Sequence, residues 1–280
     1  MTRIASALLL LLMVAYFPSK AQTKSKAPKG TLFIIGGGDI SDSLRREILT
    51  TAGWKKGDMI AAVTLASTWD SAFIYTNDVF KKLTGQDCIN IDSATIHNPL
   101  SLDSLKKAKI IYLGGGDQDR FMNLIKGTSV KQIIKQSYYN GALIAGTSAG
   151  ASVMSENMIT GNSTRVKEYS ATFREIYTGN LEVKQGLGLL DSVIIDQHFV
   201  VRSRYNRMLT AVMDYPAYQC IGINESTAII VNKGKAKVTG ESQVIVFSNP
   251  QMKKISNGYL GSRSIQISVL LPGDQFPIKR

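Results

Sequence analysis

The chain has 280 residues, 44% of them hydrophobic, with only two cysteines and two histidines. That is ample core material for one large α/β domain or two small ones, and too few cysteines for a disulfide scaffold. The formal charge of +12 is front-loaded. Residues 1–30 hold Arg3, Lys20, Lys24, Lys26 and Lys29 and no acid, so the body is mildly basic and no nucleic-acid partner is expected without a basic stripe interleaved with aromatics. No zinc-ligand spacing occurs, and no metal or cofactor is expected.

Residues 1–21 read as a signal peptide. Arg3 supplies the positive start, residues 4–17 (IASALLLLLMVAYF) are an apolar stretch shorter than a comfortable membrane span, and SKA ends at Ala21 with cleavage-site spacing. No cysteine follows, so a lipoprotein is not expected. An uncleaved anchor is the alternative; either way the body is exported, and after cleavage it has no stable membrane association. Residues 22–30 (QTKSKAPKG) form a polar linker. Residues 31–280 carry no further linker and read as a single domain.

From Thr31 onward, short apolar runs alternate with amphipathic stretches. TLFII (31–35) is a strand, followed by GGGD and a helix over about 41–52 with Ser41 or Asp42 as N-cap. MIAAVTLAS is a buried strand and residues 70–83 a helix. CINI, KIIYL and ALIA are further strands, separated by helices at SLDSLKKA, at QDRFMNLIKGT after a second GGGD, and at 130–139. Near-continuous apolar strands each followed by a helix indicate a parallel sheet covered on both faces. The loops at 36–39, 114–117 and 146–150 then share its carboxyl edge, where such sheets bind ligands. The first GGGD is a poor dinucleotide fingerprint, because Ser41 replaces the last glycine of GxGxxG. After Asn180 comes a strand ending in DQHF, then a helix RSRYNRMLTAVMDY with Tyr205, Met208, Leu209, Val212 and Met213 as its apolar face. A β-rich tail follows, with NKGK and VTGES as hairpin turns. Cys88 and Cys220 each sit in an apolar run and read as separate buried side chains.

Gly146-Thr147-Ser148-Ala149-Gly150 fits G-x-S-x-G between a strand and a helix-compatible segment. Small neighbours let Ser148 protrude from a sharp turn, and the Ala149 amide then points toward a developing oxyanion. A serine nucleophile needs a base. His97 lies in a polar loop well before the elbow; His198 ends an apolar strand at the sheet edge and is the better base. Six acids lie between Ser148 and His198: Glu156, Glu168, Glu175, Glu182, Asp191 and Asp196. Glu156 falls on the helix behind the serine. Glu168, in a loop, and Asp196, two residues from His198, remain open as the group that orients the imidazole.

GTSAGASVM, MITGN, DQHFVVRSRYNRML and GINESTAI together resemble the cyanophycinase branch of the serine hydrolases that also include peptidase E-like aspartyl dipeptidases, over about residues 31–231. LGGGDQDR resembles that family's glycine-rich segment ahead of the elbow. The resemblance implies a three-layer α/β sandwich with a mostly parallel central sheet, similar to class I glutamine amidotransferases, with a β-rich C-terminal extension. It implies Ser148 as nucleophile, His198 as base, and amides near Gly115, Gly116 and Ala149 as oxyanion hole. It implies substrate contacts from Asp117, Gln118, Arg120, Asp196, Gln197, Arg202, Arg204 and Arg207. The family's third acid is a glutamate shortly after the GN that follows the elbow; Thr164, Arg165 and Val166 stand there, and Glu168 is the nearest acid. The implied substrate is cyanophycin, cleaved to β-aspartyl-arginine, and the implied assembly a homodimer. An aspartyl or isoaspartyl dipeptidase, or a non-catalytic homologue binding acidic peptides, are the alternatives. A lipase-type G-x-S-x-G fold is disfavoured by the DQHF cluster and the short chain after it.

Overall fold

The computed structural model describes residues 27–279; the leader and most of the linker lie outside the described residues. In chain order the elements are β1 (Thr31–Ile35), α1 (Asp42–Ala52), β2 (Ile60–Val63), α2 (Ala72–Thr84), β3 (Ile89–Ile91), α3 (Pro99–Lys107), β4 (Ile110–Leu113), α4 (Gln118–Leu124), α5 (Val130–Asn140), β5 (Leu143–Thr147) and α6 (Ala149–Ser152). They continue with β6 (Asn157–Ser163), β7 (Leu181–Gln185), β8 (Val193–Asp196), α7 (Tyr205–Asp214), β9 (Gln219–Ile223), β10 (Thr227–Asn232), β11 (Lys235–Gly240) and β12 (Val244–Gln251). The last are β13 (Lys254–Ser256), β14 (Tyr259–Gly261), β15 (Ser264–Leu270) and β16 (Gln275–Pro277).

The central sheet has eight strands in the order β16-β11-β10-β1-β5-β4-β2-β3. The five strands from β1 to β3 run parallel, and β10, β11 and β16 join antiparallel at one end. Its apolar runs have a simple cause. Side chains alternate across a strand, so a strand covered on both faces must be apolar at every position. In β1, Phe33 and Ile35 pack with Leu44 and Ile48 of α1 and Phe80 of α2, while Leu32 and Ile34 face the opposite core with Leu105 of α3 and Ile134 of α5.

That opposite core also takes Ile195, Ile221 and Val246 from a second sheet, ordered β15-β12-β9-β8. The far side of the second sheet buries Ile194, Cys220 and Phe247 against Met208, Ala211 and Val212 of α7. The strand-helix-strand unit β8-α7-β9 places β8 and β9 side by side and parallel, Asp196 opposite Gly222.

Local sequence sets the ends of these elements. The Ser41 hydroxyl accepts from the Leu44 amide at 3.3 Å and caps α1. The NKGK turn pairs Asn232 with Lys235, leaving Lys233 and Gly234 at φ 46° and 78°, as a two-residue hairpin of the primed type requires. VTGES, by contrast, is no hairpin turn. β11 ends in the central sheet and β12 begins in the second, so this bend passes the chain between sheets. The helix after the elbow is a single turn, Ala149–Ser152, and Glu156 stands beyond it, exposed. Cys88 and Cys220 are free, buried thiols in different core clusters, and burial pushes the Cys88 thiol up to about 12.

Candidate active site

β1, β4 and β5 are in register at their carboxyl ends, Ile35 opposite Thr147 and Leu113 opposite Gly146. Their three glycine-containing loops therefore leave the sheet at one edge. At the end of β5 the chain reverses within one residue. Ser148 adopts φ 53° and ψ −114°, outside the regions a serine prefers, and α6 begins at the next residue. The turn requires its glycines. A Cβ on Gly146 would stand 2.3 Å from the Gly150 carbonyl oxygen, and one on Gly150 would stand 2.1 Å from that of Leu113. The Ser148 amide donates to the Ile35 carbonyl at 3.1 Å, which pins the elbow to β1.

His198 follows the end of β8. It too has a positive φ, 48°, and its amide donates to the Gly36 carbonyl at 2.7 Å. Its Nε2 lies 2.8 Å from the Ser148 Oγ. Its Nδ1 lies 2.6 Å from Oε1 of Glu225, which sits in the turn between β9 and β10. A carboxylate only accepts, so Nδ1 carries the proton and Nε2 presents a lone pair to the serine hydroxyl. Burial lowers the His198 pKa most; the Glu225 hydrogen bond opposes it, and the charges of Arg202 and Arg204 add to the lowering. The net result favours the neutral imidazole, the form that accepts a proton.

The first GGGD loop makes this arrangement possible. A Cβ on Gly37 would come within 2.4 Å of the His198 ring, and a Cβ on Gly38 within 2.6 Å of the Glu225 side chain. The Ser226 amide donates to the Gly37 carbonyl at 2.9 Å, tying the turn that carries Glu225 to the same loop.

A cavity of about 380 Å³ opens beside Ser148 and His198, with Gly37, Gly38, Gly115 and Thr147 in its wall. No acceptor among the described residues takes the amides of Gly115 or Ala149. Ala149 opens α6 directly after the nucleophile position, and Gly115 packs against the Ser148 side chain. The Gly116 amide likewise has no acceptor among the described residues, but Gly116 does not line the cavity, and a Cβ on it would collide with the Ala66 carbonyl. No group of three or more His, Cys, Asp or Glu side chains converges as a metal site among the described residues. No helix among them is long and apolar enough to cross a membrane.

The family model described as Peptidase family S51 matches residues 32–239. The chain belongs to peptidase family S51. Cyanophycinases of Trichormus variabilis and of a Nostoc species are each 29% identical to this S51 chain over 268 residues, spanning 90% of it and 86% of their own length. A solved peptidase from an acI-B1 actinobacterium superposes with a TM-score of 0.65 at 19% identity, over 90% of this chain and 98% of that one. A putative peptidase E from Listeria monocytogenes superposes at 0.55 with 21% identity, over 76% and 99%. At such identities the solved structures attest the fold. The family and the curated relatives support a peptidase function.

The structure places several side chains away from the roles expected of them from sequence. Glu168 does not meet His198. β6 and β7 pair as a hairpin, and the long connection 164–180 is tied to the side of α7. There the Asn206 side chain donates to the Phe173 carbonyl and the Thr178 hydroxyl to Asp214. Glu168 is exposed and borders a separate cavity of about 570 Å³ with Arg165 and Glu175. Glu225 stands in its place. None of the acids between Ser148 and His198 orients the imidazole; the order along the chain is Ser, His, Glu.

The cluster expected to hold substrate is mostly internal bracing. Asp196, Arg204 and Arg207 are 1%, 2% and 1% exposed. Arg207 grips both oxygens of Asp196, with Nε to Oδ2 at 2.7 Å, and Arg204 adds a bond at 3.2 Å. Arg204 also donates to the carbonyl and the side-chain oxygen of Gln197, at 2.6 and 3.0 Å. Burial alone would raise the Asp196 carboxyl; the two guanidiniums outweigh it and hold it below the ordinary carboxylate range. Both arginines turn inward onto this one carboxylate, which leaves the buried trio with a net positive charge, so neither lies on the solvated helix face that its spacing allows.

Gln118 is also buried, donating to the Ile159 and Thr160 carbonyls at 3.0 and 2.7 Å. Asp117 is the N-cap of α4, accepting from the amides of Asp119 and Arg120. Arg120 holds the Ser67 carbonyl at 3.3 Å and lines a neighbouring cavity of about 260 Å³. Of the predicted contacts in the DQHF segment, Arg202 alone is exposed, and its charge acts on His198.

Proposed function

We propose that this S51 protein is a serine peptidase that cleaves aspartyl peptides of the cyanophycin type through an acyl-enzyme on Ser148. The observation that carries the reading is the Ser148–His198–Glu225 chain of hydrogen bonds, 2.8 and 2.6 Å long, at the wall of one cavity. Ser148 Oγ attacks the scissile carbonyl as His198 Nε2 takes its proton. The amides of Gly115 and Ala149 hold the oxyanion. His198 then passes the proton to the leaving amine, and water repeats the sequence to free the acyl group. Glu225 keeps the Nδ1 proton in place and offsets the imidazolium charge.

Cyanophycin as substrate rests on the curated relatives. Incubating residues 22–280 with cyanophycin, with products followed by mass, is expected to release β-aspartyl-arginine. A neutral phosphonyl fluoride is expected to label Ser148. No hydrolysis of cyanophycin or aspartyl dipeptides, with labelling elsewhere than Ser148, would sink the reading. Export belongs to the same proposal, and N-terminal sequencing of the mature protein, expected to begin at Gln22, tests it.

The state of His198 sets the acid limb of the pH–rate profile. Protonated imidazole cannot accept the serine proton, so kcat/KM falls as pH drops through the His198 pKa. Because that pKa is lowered from 6.5, the plateau is expected to persist below pH 6.5. A midpoint at or above that value in the profile of kcat/KM would contradict the neutral, buried base.

A further inference from the structure

The cavity beside Ser148 runs away from the bracing cluster toward α1, and Arg45 lines it there. We propose that Arg45 is the specificity-determining residue that binds a carboxylate of the substrate in this cavity. The proposal rests on Ser148 being the nucleophile and adds which group on the substrate the cavity selects.

Three observations carry it. The first is the placement of the charge. Arg45 lies on the buried face of α1 in its first turn and is 8% exposed. The amino end of a helix already carries partial positive charge, so a buried cation there is disfavoured twice, by burial and by the helix dipole.

The second is incomplete neutralisation. Arginine has five N–H donors. One reaches Asp42 Oδ1 at 3.3 Å and one the Tyr75 hydroxyl at 3.2 Å, and the others find no acceptor among the described residues. Asp42 is 40% exposed and has a closer partner in Lys82, at 2.8 Å. No aspartate or glutamate lines the cavity, so the charge of Arg45 in its wall is offset only by Asp42, which it shares with Lys82.

The third is a second unused polar group. Tyr112 lines the same cavity, is 7% exposed, and its hydroxyl has no hydrogen-bond partner among the described residues. A planar guanidinium fork beside a phenol, within apolar walls that include Trp69 and Val79, matches a carboxylate.

The carboxylate comes either from the side chain of the residue that donates the acyl group or from the free end of the leaving fragment. Aspartyl-alanine, aspartyl-alanine amide and asparaginyl-alanine separate these sources. In the wild type, one of the two amide replacements is expected to lower kcat/KM by about tenfold or more, as for loss of a charge-assisted hydrogen bond. In Arg45→Gln, and in Arg45→Lys, which keeps the charge but not the fork, that preference should collapse to within about threefold. Thermal unfolding and labelling of Ser148 by the phosphonyl fluoride verify that both variants are folded.

An Arg45→Gln enzyme that keeps the wild-type preference overturns the proposal. If the wild type cleaves none of the three peptides, labelling of Ser148 by the phosphonyl fluoride and turnover of cyanophycin decide the nucleophile reading separately, and calorimetric titration of the same peptides decides the site. Carboxylate-dependent binding that Arg45→Gln abolishes supports it. Binding that is equal in both proteins, or absent from the wild type, overturns it.

Discussion

Glu225→Gln is expected to lower kcat/KM by about 1,000- to 10,000-fold while the fold stays intact, the scale seen when a triad carboxylate becomes an amide. The carboxylate only accepts, so it fixes the proton on His198 Nδ1 across the 2.6 Å contact. A glutamine in the same position can donate its amide N–H to Nδ1. The imidazole proton then moves to Nε2 and faces Ser148, where the lone pair is needed. The charge that offsets the imidazolium is also lost. Two controls make the result specific. Glu168→Gln should leave the rate within about twofold, because Glu168 is exposed and touches neither catalytic side chain. The acid limb of the Glu225→Gln profile should also move to lower pH, since the Glu225 hydrogen bond is what raises the His198 pKa against burial. A Glu225→Gln enzyme with near-normal turnover, measured against the same aspartyl peptides, would remove Glu225 from the triad.

Much of this arrangement is legible in the sequence. The parallel sheet follows from strands such as TLFII and KIIYL, in which no position tolerates water. The elbow follows from small residues around Ser148, and His198 follows from there being only two histidines. Chain order and strand pairing also point to Glu225. VIID, the helix RSRYNRMLTAVMDY and CIGI form a strand-helix-strand unit, and such units commonly pair their strands in parallel. Parallel strands end at the same edge, so the polar residues just after CIGI lie beside those just after VIID. Asp196 opposite Gly222 is that register, and it brings Glu225 to His198.

What the sequence conceals is how charges divide. Asp196, Arg204 and Arg207 have the spacing of a binding cluster and also that of a helix face. Only the packing of α7 against the second sheet shows that they face inward. The course of the connection 164–180 is concealed for a related reason. It is fixed by distant partners, such as Asp214 and the Tyr177–Tyr259 ring contact at 4.1 Å, and by no local periodicity.

Asp196→Asn is expected to destabilise the protein by about 3–5 kcal/mol, the cost of removing one partner from a buried ion pair. Asn keeps the shape and removes the charge. Arg207, 1% exposed, then has no counterion, and Arg204 is left with Gln197 and the Tyr169 hydroxyl. The folded-state pKa of Asp196 is lowered, so its contribution is fully present above the ordinary value of 3.8 and is lost as pH falls below it toward the folded pKa. The difference between wild type and variant, read from urea midpoints, should therefore be full at neutral pH and shrink in strong acid. The same variant tests whether the bracing holds His198. Arg204 donates to the Gln197 carbonyl at 2.6 Å, one residue before the imidazole whose φ is 48°. Loosening that segment should lower kcat with little change in KM, because the Ser148–His198 geometry suffers before the cavity near Arg45 does. Adding Arg207→Met to Asp196→Asn should restore part of the lost stability, since it removes one of the two buried guanidiniums that Asp196→Asn strands and leaves only Arg204 without a carboxylate. If Asp196→Asn stays within about 1 kcal/mol of the wild type, the guanidiniums reach water or another anion, and the cluster is open to substrate after all.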